Sequence, residues 1–88
     1  MNNTNPVNCT IIYGPPGCKK TTHKEKFAEY FRTDFIIDNW SPDDQPVPKN
    51  TLLLTNINLA YFPKLYTQLV NNGNYLYCYE LALYLIEN

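Results

Sequence analysis

The chain has 88 residues and a mass of 10.3 kDa, with 44% hydrophobic and 17% charged residues, enough apolar material for one small α/β-sized domain over residues 1–88 and too little length for two. A formal net charge of −1 and a pI near 5.6 speak against a general nucleic-acid or membrane-surface binder. No apolar run approaches the roughly 18 residues of a bilayer span, and Met1–Asn8 is polar rather than signal-like, so Cys9, Cys18 and Cys78 are expected as reduced thiols in a cytoplasm.

In chain order, Cys9–Tyr13 is a β-branched and aromatic run that ends at Gly14-Pro15-Pro16-Gly17. This predicts a buried strand entering a tight turn. From Lys20 the spacing of His23, Phe27, Tyr30 and Phe31 predicts an amphipathic helix of about three turns. Thr33-Asp34 break it, and Phe35–Asp38 reads as a second short buried strand. Residues 39–50 hold Pro42, Pro46 and Pro48 and no apolar period, which predicts a loop. Thr51–Thr55 is a third strand. Leu59, Phe62, Tyr66, Leu69 and Val70 lie at helical spacing, with Pro63 suited to the first turn and Asn72-Gly73 to the stop. Tyr75–Tyr79 predicts a fourth strand and Glu80–Glu87 a short terminal helix. Apolar strands alternating with helices imply an α/β fold. The expected core is a small, mainly parallel sheet of three to four strands flanked by two or three helices.

Charge is uneven along this order. Residues 18–32 carry Lys19, Lys20, Lys24, Lys26 and Arg32 against Glu25 and Glu29. The stretch 33–48 carries Asp34, Asp38, Asp43 and Asp44 with no base. A basic helix region is thus followed by an acidic loop region.

The segment Gly14-Pro15-Pro16-Gly17-Cys18-Lys19-Lys20-Thr21-Thr22 lies between the first strand and the first helix. It resembles the P-loop, or Walker A, motif G-x-x-x-x-G-K-[ST], in the flavour of AAA-type ATPases. Such a loop needs small residues, because its backbone N–H groups must turn inward to cradle phosphate. The following helix N-terminus adds partial positive charge. The resemblance implies ATP or GTP with Mg²⁺ as ligand. Gly14 to Thr22 would bind the phosphates, with Lys20 at the β/γ-phosphates and Thr21 on the metal. Phe35-Ile36-Ile37-Asp38 is similar to a Walker B strand, whose Asp38 would be the second metal residue. Leu53-Leu54-Thr55-Asn56 is similar to the polar strand end that reads the γ-phosphate, and fits a plain strand end equally well.

Two positions depart from the pattern. Lys19 occupies the second glycine, where a left-handed backbone would cost about 1–2 kcal/mol; its amine is either an obstacle or an added phosphate contact. Asn39 follows Asp38 where a water-activating glutamate is usual, and an amide is no general base. Arg32, the one arginine, stands about 12 residues or roughly 18 Å of helix from Lys20. The resemblance covers residues 8–58, less than half of a full ATPase core of this class. It therefore implies nucleotide binding with weak or no hydrolysis.

Other residues have plainer readings. His23 shares a face with Phe27 and is expected to pack. Cys18 sits where a helix N-terminus and two lysines lower a thiol pKa, but only His23 could orient it. Trp40, beside Asp43-Asp44, fits either a protein-contact anchor or internal packing. The Tyr75, Tyr77, Tyr79 alternation places three rings on one strand face. The asparagine and tyrosine bias, with 8 tyrosines, is typical of AT-rich genomes and of phage or mobile-element proteins. The second function class is thus a non-enzymatic protein-binding module on a degenerate P-loop scaffold. A phage-encoded inhibitor of a host complex, in the style of anti-CRISPR proteins, belongs there. A small-molecule kinase fragment is a third class, for which the chain is too short.

Overall fold

The computed structural model describes residues 6–15, 21–42 and 46–87. The four apolar runs form β1 (Thr10–Tyr13), β2 (Phe35–Ile37), β3 (Thr51–Thr55) and β4 (Tyr75–Cys78). The helices are α1 (Lys24–Phe31), α2 (Pro63–Asn71) and α3 (Tyr79–Glu87), with 3₁₀ turns at Thr21–His23 and Leu59–Tyr61. All strand pairings are parallel, in the order β2-β3-β1-β4. The expected α/β sheet is therefore present, with four strands and three helices among the described residues.

The central strands explain why continuous apolar runs were needed. Ile11 and Ile12 of β1 and Leu52 to Leu54 of β3 are fully buried, as strands covered on both faces must be. Side chains alternate between two clusters. On one face Ile11 and Leu53 pack with Leu59 and with Leu65, Tyr66 and Leu69 around α2. On the other, Ile12, Leu52 and Leu54 pack with Phe27 of α1 and Ala82 of α3. The connection β1-α1-β2 runs one way across the sheet and β3-α2-β4 the other. Right-handed crossovers in opposite directions put their helices on opposite faces.

Local departures have local causes. Helix α1 is eight residues long, nearer two turns than three, because Thr21–His23 form a 3₁₀ turn first and His23 supplies no side-chain cap. It ends at Arg32, whose left-handed φ of 55° lets the Thr33 N–H reach the Ala28 carbonyl at 3.0 Å. Leu59 belongs to a separate 3₁₀ turn, capped by Asn58, whose Oδ1 accepts from the Ala60 N–H at 3.1 Å. Pro63 restricts Phe62 and starts α2 afresh. Gly73, at φ 85°, supplies the left-handed stop. Tyr79 opens α3 rather than extending β4, so the three alternating tyrosines do not share one strand. Tyr77 stacks on Phe31 at 4.9 Å, and Tyr79 meets Phe27 edge-on at 6.1 Å.

One expectation is corrected: strand β2 is not buried but lies at the sheet edge, with Phe35 52% exposed. Of the two readings of Trp40, internal packing holds. The residue is 3% exposed and packs with Val47 into the α2-side cluster. Among the described residues between β2 and β3 there is no helix, and the indole and Val47 cover the sheet on that side. No helix among the described residues is long and apolar enough to cross a membrane.

Candidate functional site

The parallel sheet brings the carboxyl ends of all four strands to one edge. At β1 this edge starts with Gly14, buried, whose N–H donates to the Thr55 carbonyl at 3.2 Å. Pro15 follows, exposed. At β3 it holds Thr55 and Asn56, and at β2 Asp38 and Asn39. The chain leaves β1 toward α1 on one face and β3 toward α2 on the other. Neighbouring strands whose continuations part in this way open a crevice, the usual ligand position in open parallel sheets.

Asp38 is exposed, and its Oδ1 accepts from the Asn39 N–H at 2.8 Å. That bond goes with a left-handed Asn39, φ 55°, a conformation asparagine tolerates. Asn39 Oδ1 in turn accepts from Asn56 Nδ2 at 3.4 Å, which ties the ends of β2 and β3 together. Thr55 is buried, and its hydroxyl accepts from the Ile57 N–H at 3.2 Å. Trp40 N–H donates to the Leu54 carbonyl at 2.8 Å, so the chain after Asp38 stays against β3.

Thr21 begins the 3₁₀ turn that leads into α1, and Thr22 is exposed on it. Pro16, Gly17, Cys18, Lys19 and Lys20 lie outside the described residues. His23 packs as expected, 6.2 Å from the Phe27 ring and 6.4 Å from that of Tyr79, with Nδ1 3.5 Å from the Tyr79 hydroxyl.

Beside Gly14 and Pro15 runs a groove of about 180 Å³ lined by Tyr13, Asn58, Cys78, Tyr79 and Glu80. Burial pushes the Tyr13 phenol above its ordinary pKa, and neighbouring Tyr66 and Cys78 add to the rise. Asn58, Tyr79 and Glu80 were not singled out for the site from the sequence. They reach it through the order of the strands, which no local pattern encodes. Among the described residues no three of His, Cys, Asp and Glu come together as a ready-made cation site. A Mg²⁺ ion held by Asp38 would complete its shell with phosphate oxygens and water, as that ion commonly does. The exposed carboxylate fits such a role.

No family model, no curated protein and no solved structure matches this chain.

Proposed function

We propose that the chain is a reduced P-loop-type protein that binds a nucleoside triphosphate, ATP or GTP, at the carboxyl edge of its sheet, with little or no hydrolysis. One observation carries this reading: β3 lies between β1 and β2, so that Gly14, Thr55-Asn56 and Asp38 end side by side at the crevice. Phosphate would meet the turn over Gly14–Thr22, with Lys20 as point charge and Thr21 and Asp38 toward the metal. Bound Mg²⁺ would supply charge neutralisation at the phosphates.

Slow turnover is supported by two placements. Asn39 Oδ1 is engaged by Asn56 rather than aimed as a base, and an amide oxygen is too weak a base for that task. Arg32 lies near the opposite edge, where its carbonyl accepts from Asn50 Nδ2 at 3.0 Å just before β3 begins.

A second reading, a protein-binding module, is favoured by the aromatics that precede α2. Tyr61 is 79% exposed, and Phe62 is exposed beside it.

Titration with labelled ATP and GTP, with and without Mg²⁺, separates the two readings. Saturable binding that Lys20→Ala abolishes supports nucleotide binding. Absence of binding by the natural chain overturns it, and equal binding by Lys20→Ala removes that lysine from the site.

A further inference from the structure

Strand β4 ends the sheet on the side away from β2 and pairs with β1 alone. The Tyr75 N–H donates to the Cys9 carbonyl at 2.9 Å, and Tyr75 stands in register with Thr10. In this parallel ladder Tyr75 and Tyr77 turn their main-chain groups toward β1. Across a trans peptide each C=O points opposite to the next N–H. The outer edge therefore presents the Asn74 carbonyl, both main-chain groups of Leu76 and the Cys78 N–H. Edges that stay unpaired are commonly guarded by charge or proline. Strand β2 is flanked by Asp34 and Asp38, whereas the run from Asn74 to Tyr79 holds neither a charge nor a proline.

Helix α3 leaves the same side of the molecule apolar. Glu80 and Glu87 are its only charged residues, and a helix apolar nearly all round is ordinarily buried. Tyr79 and Ile86 turn toward α1, where Tyr79 meets Phe27 and Ile86 shares a cleft with Lys26 and Tyr30. Ala82 packs with Ile12 of the sheet. Helix α1 contacts β2 and β3, and α3 contacts β1 and β4. With 3.6 residues per turn, Leu81 and Tyr84 fall on the flank of α3 away from α1, on the outer side of β4. Leu81 is 47% exposed, Tyr84 63% and Tyr75 of β4 65%.

We infer that β4 and the outer flank of α3 are the contact of a symmetric homodimer. A second copy pairs antiparallel to β4 about Leu76 and continues the sheet, with four strands from each copy and both α3 helices on one face. The match is group for group. The two Leu76 residues exchange N–H and C=O, and each Cys78 N–H meets the Asn74 carbonyl of the other copy. Every outward donor thus finds an acceptor, and no like charges face each other across the axis. Tyr75 of one copy comes beside Tyr77 of the other, an aromatic cross-strand pair. This self-complementarity selects a second copy over an unrelated chain, because the surface carries no charge that would recognise one. The inference does not rest on nucleotide binding.

The test uses the full chain. Sedimentation equilibrium from about 1 μM to about 1 mM, where a small interface dissociates, should show a monomer–dimer equilibrium. In ¹⁵N-labelled protein the Leu76 and Cys78 amides should be protected from exchange in the dimer and lose that protection on dilution. The Tyr75 and Tyr77 amides should stay protected throughout. Leu81→Lys, at an exposed position, should raise the dimer Kd by at least about tenfold. Leu76→Pro removes an outward N–H, a change that edge strands tolerate, and should leave only monomer while the thermal transition persists. If the proline unfolds the chain, Tyr75→Lys, also exposed, should weaken the dimer as Leu81→Lys does. The proposal is overturned if the chain stays monomeric over the whole range, or if it forms open assemblies instead of a dimer. It is equally overturned by a dimer that leaves the Leu76 amide unprotected or ignores both lysine variants, since the contact would then lie elsewhere.

Discussion

Cys9 and Asn74, sixty-five positions apart, are joined by a buried hydrogen bond from the Cys9 N–H to Asn74 Oδ1 at 2.9 Å. The Asn74 Nδ2 group donates to the Pro6 carbonyl at 2.7 Å and to the Leu69 carbonyl at 2.9 Å. One side chain thereby ties the segment before β1 to the end of α2 and the start of β4. Each buried group left unpaired costs about 1–3 kcal/mol. Asn74→Ala should therefore lower the thermal midpoint by at least about 4–8 °C, the shift that 1 kcal/mol produces in a domain of this size. Asn74→Leu should be no better, because it keeps volume and removes the same partners. A melt by circular dichroism that matches the natural chain would show that the three bonds contribute nothing net.

Trp40 tests the packing that covers the α2-side face of the sheet. Truncation of a large buried aromatic costs about 3–5 kcal/mol, so Trp40→Ala should unfold at a much lower temperature. The natural chain has one tryptophan. Its emission should be blue-shifted when folded and move to the red in denaturant. A solvent-like emission from the folded chain would contradict the burial.

Tyr13 predicts an alkaline effect with a definite sign. Its folded-state pKa is raised above 10.0, first by burial and then by Tyr66 and Cys78. The neutral phenol is favoured in the fold, so the unfolded chain loses its proton first. The contribution to stability is complete below about pH 10, the unfolded value. It is lost as pH climbs through the folded value. Tyr13→Phe should show a smaller fall in thermal midpoint between pH 9 and 11, values that bracket the ordinary tyrosine pKa of about 10. Equal falls in both chains would place the alkaline loss elsewhere.

Lys19 tests the phosphate turn. If its side chain strains the backbone, Lys19→Gly relieves about 1–2 kcal/mol and tightens triphosphate binding roughly five- to thirtyfold. Calorimetry is the direct measurement. Weaker binding by the glycine variant would make the Lys19 amine a ligand contact instead.

The elements were legible because periodicity and turn chemistry are local. Phe27, Leu69 and Ile11 could be assigned to helix or strand from their neighbours alone, and Gly73 needed only its place after a helix. The end of β1 before Gly14 and the Asp38 strand end were legible for the same reason. The role of each element in space was not. Phe35-Ile36-Ile37 has the apolar run of a buried strand, yet β2 is an edge, because strand order places one neighbour beside it rather than two. Trp40 sits among acidic and proline residues, and its burial depends on the sheet face it meets with Ile11 and Leu53. Asn74 and Asn58 are ordinary turn residues in one dimension. Their partners at Cys9 and Pro6, and the groove shared with Tyr13 and Tyr79, exist only after β4 has paired with β1. Contacts across sixty residues are set by which strands meet, and a one-dimensional pattern carries no term for that choice.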